Sequence, residues 1–215
     1  MALLRDDGDS VNAAHATHAL KGRTKGPIAG SPGIADHSKT AAAAPCLYRR
    51  PMKRLLVMRH AKSSWDTGAM DFDRPLNARG IEAAQVMADW LHDGGRCPDQ
   101  VVASSAERAR STVQAVIETC GLTDADILLS RSLYHADVDR WIDELRAQTT
   151  DRLLICGHNP GLDDLVVELL AHVPKLTSSG KLMTTATIAH LHIEQGWQHI
   201  QPGCAALLDL KRPRS

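Results

Sequence analysis

The sequence predicts an α/β fold, a three-layer sandwich with a mostly parallel central sheet, helices on both faces and an antiparallel edge near the C-terminus. Three observations lead there. Between residues 53 and 170, short apolar runs alternate four times with stretches of helical period. Consecutive parallel strands need a crossover, and the crossing helices cover both faces of the sheet. After residue 180 the helical period is lost, and two strand-like runs flank a turn containing Gly196. Finally, the chain of 215 residues suffices for one domain with a sizeable core.

The elements run in order along the chain. Residues 1–51 are rich in Ala, Gly, Pro, Ser and Thr, with large apolar residues scattered without period. Such a segment cannot bury enough surface to offset its ordering entropy, so it is read as a disordered extension. Met52 is read as the functional start, because M-K-R-L-L-V-M-R-H enters a strand almost at once. The domain is expected over 52–215, with its last element ending near 210. Lys53 to Met58 is a buried strand. Asn77 caps a helix to about Asp93, with Ile81, Ala84, Ala88 and Leu91 on one face. Gln100 to Ala103 is a strand. Ala106 to Thr119 is a helix burying Ala109, Val113, Val116 and Ile117, and Gly121 stops it. Ile127 to Leu129 is a brief strand, Asp137 to Ala147 a helix, and Arg152 to Cys156 a strand. Pro160 opens a helix with Leu162, Leu165, Val166, Leu169 and Leu170 along one stripe. Thr184 to Ile193 and Ala205 to Leu210 are the last two strands.

Composition narrows the partners. Formal net charge is zero and the pI is near 7.2, which favours neither nucleic acid nor an anionic membrane. No apolar run approaches the roughly 18 residues a membrane span needs. The five cysteines are odd in number, widely spaced and without a C-x-x-C pair, the pattern of reduced or incidental thiols in a cytoplasmic protein. A monomer is expected.

In open parallel sheets, ligands bind beyond the carboxyl ends of the strands. Arg59 and His60 follow the first strand. Ser104, Ser105 and Arg108 follow the second. Gly157, His158 and Asn159 follow the strand at 152–156, just before a helix N-terminus. Two arginines, two histidines and the positive ends of helices thus reach one edge of the sheet, where no carboxylate follows a strand. Each element alone is weak: a Gly-His after a strand is usually structural, and Ser104 and Ser105 read as turn or cap residues. Their joint placement suits a dianionic phosphoryl group.

R-H-A-K-S-S-W, R-P-L-N-A-R-G, S-S-A-E-R-A-R-S-T and G-H-N-P-G-L, in that order, resemble the histidine phosphatase superfamily, and most of all its short SixA-type branch of phosphohistidine phosphatases. The resemblance spans residues 53 to about 210 and implies a phosphoglycerate-mutase-like fold. It implies that His60 is the phosphorylated nucleophile, that Arg59, Arg108 and His158 form the phosphate pocket, and that Arg74 also reaches the phosphoryl group. It implies a hydrolase that needs no cofactor and no metal and acts on a phosphorylated protein or a small phosphorylated substrate. The chemistry agrees. A nucleophilic imidazole must stay neutral with one bare nitrogen, which flanking cations favour and a backbone carbonyl can orient. The arginines clamp the oxygens on which charge accumulates, and a protonated His158 would add a donor.

One departure bears on the acid. Larger members, the phosphoglycerate mutases among them, carry a glutamate in a segment after the third strand, where this chain reads S-L-Y-H-A-D. By resemblance Asp71 is the preferred general acid, with Asp66 and Asp73 as rivals; all three could equally be a solvated acidic loop. Two further readings stand beside a protein phosphohistidine phosphatase: a small-molecule phosphomonoesterase and a non-catalytic phosphate-binding module. Other motifs carry less. D-F-D-R-P at 71–75 lacks the preceding strand of an aspartyl-phosphate phosphatase. No cysteine is followed six positions later by arginine. G-P-I-A-G-S-P-G at 26–33 lacks the Lys-Ser/Thr of a P-loop. His190 and His192 share a strand face without a third ligand.

Overall fold

The computed structural model describes residues 52–172 and 182–213; expectations for residues 1–51 lie outside the described residues. The elements run β1 (Lys53–Arg59), α1 (Ala78–Asp93), β2 (Gln100–Ser104), α2 (Glu107–Cys120), β3 (Ile127–Ser130), α3 (Val138–Arg146), β4 (Arg152–Gly157), α4 (Gly161–Leu169), β5 (Ile188–Ile193) and β6 (Ala205–Lys211). They form one six-stranded sheet in the order β3-β2-β4-β1-β5-β6. The four strands from β3 to β1 pair in parallel, and β5 and β6 add the antiparallel edge.

The period-two rule divides each strand between two cores. Leu55, Val57, Leu153 and Ile155 point toward α3 and α4, where they meet Trp141, Leu145, Leu162 and Val166. Leu56, Met58, Leu154 and Cys156 point the other way, toward Ala84, Met87 and Leu91 of α1 and Val113 and Val116 of α2. Each fully buried large apolar side chain contributes roughly 1.5–3 kcal/mol, so the sheet is held from both sides.

The cap residues behave as expected. The Asn77 side chain accepts from the Gly80 amide at 2.9 Å, Asp137 accepts from the Arg140 amide at 2.9 Å, and Gly121 ends α2 in the left-handed region at φ 69°. Two details depart from expectation. Ile81 is 61% exposed, and the buried stripe of α1 runs through Gly80, Ala84, Met87, Ala88 and Leu91. The reason is close approach. A Cβ on Gly80 would lie 2.0 Å from the Lys62 carbonyl oxygen, so the helix turns its bare glycine, not its isoleucine, toward the chain after β1. The second departure is β5, which starts at Ile188 and not at Thr184. Ala186 takes φ 59°, and its amide donates to the carbonyls of Arg59 (3.1 Å) and His60 (3.2 Å), so this segment wraps the end of β1 before pairing begins.

The thiol expectation is corrected. Cys97 and Cys120 form a disulfide with Cα atoms 5.6 Å apart, while Cys156 and Cys204 are free. The crossover explains how distant positions meet. α2 runs back along β2, which returns Cys120 to the end of the sheet that the chain left at Cys97.

α4 packs where α3 begins. A Cβ on Gly161 would stand 2.0 Å from the Ala136 carbonyl oxygen, a backbone atom that cannot move aside. Gly161→Ala is therefore expected to lower stability by about 1–3 kcal/mol, the cost of overpacking, read as a drop in the thermal midpoint.

Candidate active site

The sheet order decides the site. β1 lies beside β4 with Met58 opposite Cys156 and Arg59 opposite Gly157, so the next residues, His60 and His158, leave neighbouring strands side by side. β4 also pairs with β2, with Ala103 opposite Cys156, which brings Ser104 and the first turn of α2 to the same edge. The His60 and His158 ring centroids are 5.0 Å apart.

His60 is oriented by the adjoining backbone. Its Nδ1 lies 2.7 Å from the Ala61 carbonyl oxygen, an acceptor only, so Nδ1 carries the proton and Nε2 is bare. The Ala61 amide is held by Thr112 Oγ1 at 2.9 Å, and Thr112 in turn donates to the Arg108 carbonyl at 2.6 Å. Arg108, almost fully buried, donates from Nε to His60 Nε2 at 3.3 Å. Burial lowers the His60 pKa to about 4; Arg108, Arg59 and Arg74 push it the same way, against the pull of the Ala61 carbonyl. The ring is thus neutral at physiological pH, mainly because it is desolvated and only secondarily because of the arginines.

His158 is buried. Its Nε2 lies 2.9 Å from Ser104 Oγ, and its Nδ1 is buried without a partner. Burial comes first and His60, Arg108 and His135 next in lowering its pKa to about 2. A protonated His158 would be a further donor, but desolvation first and the cationic neighbours next favour its neutral form.

The loop after β1 supplies the remaining groups. Arg74 is buried, pairs through Nη2 with Asp71 Oδ1 at 2.8 Å, and leaves Nε and Nη1 without partners. Asp71 is half-exposed and central. Its Oδ2 accepts from Arg108 Nη2 at 3.0 Å and from the Tyr134 hydroxyl, and its backbone carbonyl accepts from Arg108 Nη1. A carboxylate therefore does enter the cationic edge, from a loop and not from a strand end. The Tyr134 hydrogen bond is the largest cause, with Arg108 and Arg74 adding to it, that lowers the Asp71 pKa to about 2. Of the three candidate acids, Asp71 reaches the arginines; Asp66 and Asp73 are exposed and make no ion pair with them among the described residues.

Arg59 sits at the end of β1, but one of its donors is committed: Nη1 donates to the Met183 carbonyl at 2.9 Å, while Nε is buried without a partner. The structure thus brings together His60, His158, Arg74, Arg108 and Asp71, with Arg59 close enough to act on His60 electrostatically.

Three participants escaped sequence reasoning, and a fourth, Ser104, is placed at this edge by the sequence but read there only as a turn or cap residue. Ser104 makes a turn, its Oγ accepting from the Ala106 amide at 3.3 Å, and it also holds His158 Nε2 at 2.9 Å. Tyr134 bonds Asp71 and meets the His158 ring edge-on at 5.3 Å. His135 stacks on His158 at 5.8 Å, at 11° between ring planes. Trp65 lies against Arg74, with the guanidinium carbon 3.5 Å from the ring centre. A signal for two of these was present, since Y-H stands where larger relatives carry glutamate. His190 and His192 lie half-buried on β5, and no cluster of three or more metal-ligating side chains occurs among the described residues.

The family model of the histidine phosphatase superfamily (branch 1) matches residues 55–141, the stretch from β1 into α3 that holds His60, Asp71, Arg74 and Arg108. An uncharacterised protein of Mycobacterium tuberculosis is 34% identical over 164 residues, covering 73% of this chain and all of that one. The chain belongs to the histidine phosphatase superfamily. It is a phosphatase of the SixA-like kind. The phosphohistidine phosphatase SixA of Escherichia coli is 26% identical over 145 residues, 66% of this chain and 86% of its own. The solved structure of a protein histidine phosphatase SixA in complex with tungstate superposes with a TM-score of 0.62 at 25% identity, over 74% of this chain and 97% of that one. Among the described residues, no helix is long and apolar enough to cross a membrane.

Proposed function

We propose that this phosphatase removes phosphoryl groups from phosphohistidine in proteins, through a phosphohistidine formed on its own His60 and without a metal. The observation that carries the reading is the bare Nε2 of His60, its tautomer set by the Ala61 carbonyl, facing Arg108 with His158 5.0 Å away. Support for the substrate class comes from the similarity to SixA relatives that carry that description.

The steps use groups already in place. The incoming phosphoryl oxygens take the donors of Arg108 and Arg74, two of which on Arg74 are buried without partners. His60 Nε2 attacks phosphorus, the bond to the leaving imidazole breaks, and that imidazole departs neutral after accepting a proton. Water then attacks the phosphorus on His60, releasing phosphate and returning the lone pair to Nε2. Arginines stabilise the equatorial oxygens in both steps, the task that magnesium performs elsewhere. His158 serves as a neutral donor. Ser104 Oγ holds Nε2 at 2.9 Å, and in the tautomer where the hydroxyl donates there the unpartnered Nδ1 carries the proton.

Asp71 is the proton donor of this reading, and its state changes with occupancy. In the free protein Tyr134, Arg108 and Arg74 keep it ionised. A dianionic phosphoryl group that takes over the two arginines removes those cations and adds negative charge beside the carboxylate, which then takes up a proton. A donor that must first be recruited suits a labile P–N bond better than an alkyl ester, whose alkoxide needs strong assistance to leave.

The test is turnover by the purified protein of a histidine-phosphorylated protein against a panel of sugar and nucleotide phosphates. Preferential hydrolysis of the phosphoprotein supports the reading. Turnover of the panel alone would make the protein a small-molecule phosphomonoesterase, and no turnover of either would leave a phosphate-binding module.

The titration of His60 gives an independent expectation. Its folded pKa is lowered from 6.5 to about 4, so the nucleophile remains bare down to that range and is blocked only as pH falls through about 4. Nitrogen-detected NMR of the free protein should show the His60 midpoint near 4; a midpoint near the ordinary imidazole value would contradict it. Stability has the same sign. The unfolded ring binds a proton below 6.5 that the folded ring refuses, so the folded state loses stability as pH drops from 6.5 toward 4.

A further inference from the structure

Four groups surround the Asp71 carboxylate, and they differ in what they can do with a proton. Arg74 Nη2 stands 2.8 Å from Oδ1 and Arg108 Nη2 3.0 Å from Oδ2, and guanidinium groups stay protonated in folded proteins. The Tyr134 hydroxyl donates to Oδ2; burial first and that hydrogen bond next raise its pKa, so its proton is held. His135 is the fourth. Its Nε2 lies 3.8 Å from Asp71 Oδ2, and its side chain is 59% exposed. An imidazole both binds and releases a proton near neutrality. The gap is longer than a hydrogen bond, and a small rotation of an exposed ring or one bridging water spans it. The backbone of His135 takes φ 56°, a left-handed conformation uncommon for a residue other than glycine. Its ring stacks on His158, with centroids 5.8 Å and planes 11° apart, and meets Tyr134 edge-on at 4.1 Å. The charged and titratable groups that face it are thus Asp71 from the loop after β1, His158 after β4 and the adjoining Tyr134. Arg108 of α2 lies behind the tyrosine, 5.7 Å from the centre of that ring.

The proposed hydrolysis consumes one proton when the donor imidazole leaves and frees one when water attacks phospho-His60. A donor seated on Arg74 and Arg108 also displaces water from the carboxylate that pairs with them, so the proton has to travel through the protein. We infer that His135 relays protons between solvent and Asp71, through His135 Nε2 and Asp71 Oδ2. The steps balance. His60 Nε2 bonds to phosphorus as the bond between phosphorus and the donor nitrogen breaks. The electron pair of that bond stays on the donor imidazole, which takes the proton of Asp71; Asp71 has drawn it from the His135 imidazolium, and His135 recharges from water. In the second step a water oxygen bonds to phosphorus and the electron pair of the breaking bond returns to His60 Nε2. The proton freed from the water passes to the Asp71 carboxylate and leaves through His135. His135 touches no phosphoryl oxygen in this scheme and acts through Asp71. The inference rests on the functional reading above and names what that reading leaves open, the source and the exit of the Asp71 proton.

The full-length protein and its His135→Asn, Asp71→Asn and doubly substituted variants would be assayed on two donors. One is N-phosphoimidazole, at a pH where its own ring is unprotonated; the other is p-nitrophenyl phosphate, whose phenolate leaves without a proton. Asparagine is among the side chains that accept φ 56°, so the backbone of the variant is kept. The parameter compared is kcat/KM, which reports phosphoryl transfer to His60. His135→Asn should lower it about thirtyfold on N-phosphoimidazole, somewhat less than removing a general acid itself, and about threefold or less on p-nitrophenyl phosphate. In the Asp71→Asn background the second substitution should cost less than about twofold on N-phosphoimidazole, because the relay is already cut. Equal losses on the two donors would mark a merely structural role, and no loss on N-phosphoimidazole would mark a bystander. A full further loss in the Asp71→Asn background would show His135 acting without Asp71. Each of these three results overturns the relay and leaves the His60 chemistry standing. If the wild-type protein does not turn over N-phosphoimidazole, the functional reading fails and the relay with it.

Discussion

The His60→Ala protein should acquire no acid-labile phosphoryl label from a phosphohistidine donor and should lose at least about a thousandfold in kcat/KM, the scale seen when a nucleophile is removed. The expectation rests on the lack of a substitute among the described residues of the site. His158 is the neighbouring imidazole, but its ring centroid is 5.0 Å away and its Nε2 is engaged by Ser104. His135 is exposed at the rim, stacked on His158. The fold should tolerate the change. His60 is only half-buried, and its loss leaves the Ala61 carbonyl and Arg108 Nε able to bind water. Label measured after acid and base quench, alongside a thermal midpoint close to that of the wild type, checks both halves. A labelled variant would show that another residue accepts the phosphoryl group.

Arg108→Ala should cost at least about 2 kcal/mol of transition-state stabilisation, a fall of roughly thirtyfold or more in kcat, as for the loss of one positioned donor. Arg108 is the point where the site converges. From the first turn of α2 it reaches His60 Nε2 through one nitrogen and Asp71 through the other two. Its removal withdraws a clamp from the phosphoryl oxygens, and also a cation that helps keep both His60 neutral and Asp71 ionised. The His60 titration should therefore move upward in the variant, a shift visible by NMR even where turnover is too slow to follow. Arg108→Lys should recover little, because an ammonium supplies charge without the planar fork that spans three acceptors. A loss smaller than about threefold would remove Arg108 from the mechanism.

Much of this molecule is readable along the chain, and particular residues show why. Leu55, Val57, Leu153 and Ile155 alternate with period two; Leu162, Leu165, Val166 and Leu169 recur with helical period; Asn77 and Asp137 cap α1 and α3. These signals are local, since each reflects the geometry of a few consecutive residues. The four motifs that identify the superfamily are local too, and they place His60, Arg108 and His158 at strand ends. Ile81 shows where local pattern stops. Period alone put it in the core, and the contact of Gly80 with the Lys62 carbonyl rotated it out.

The order of residues alone was enough for the alternation of strands and helices, for the antiparallel ending, and for the set of side chains able to face a phosphoryl group. Packing in three dimensions added the rest. It laid β1 against β4 so that the two imidazoles meet, and it closed Asp71 and Tyr134 over the arginines from two separate loops. It made His158 neutral and brought Cys97 to Cys120. Periodicity is set by bond geometry within one turn or one pleat. Strand neighbours, loop paths and pKa values are set by contacts and desolvation between residues tens of positions apart, and those exist only once the chain has packed.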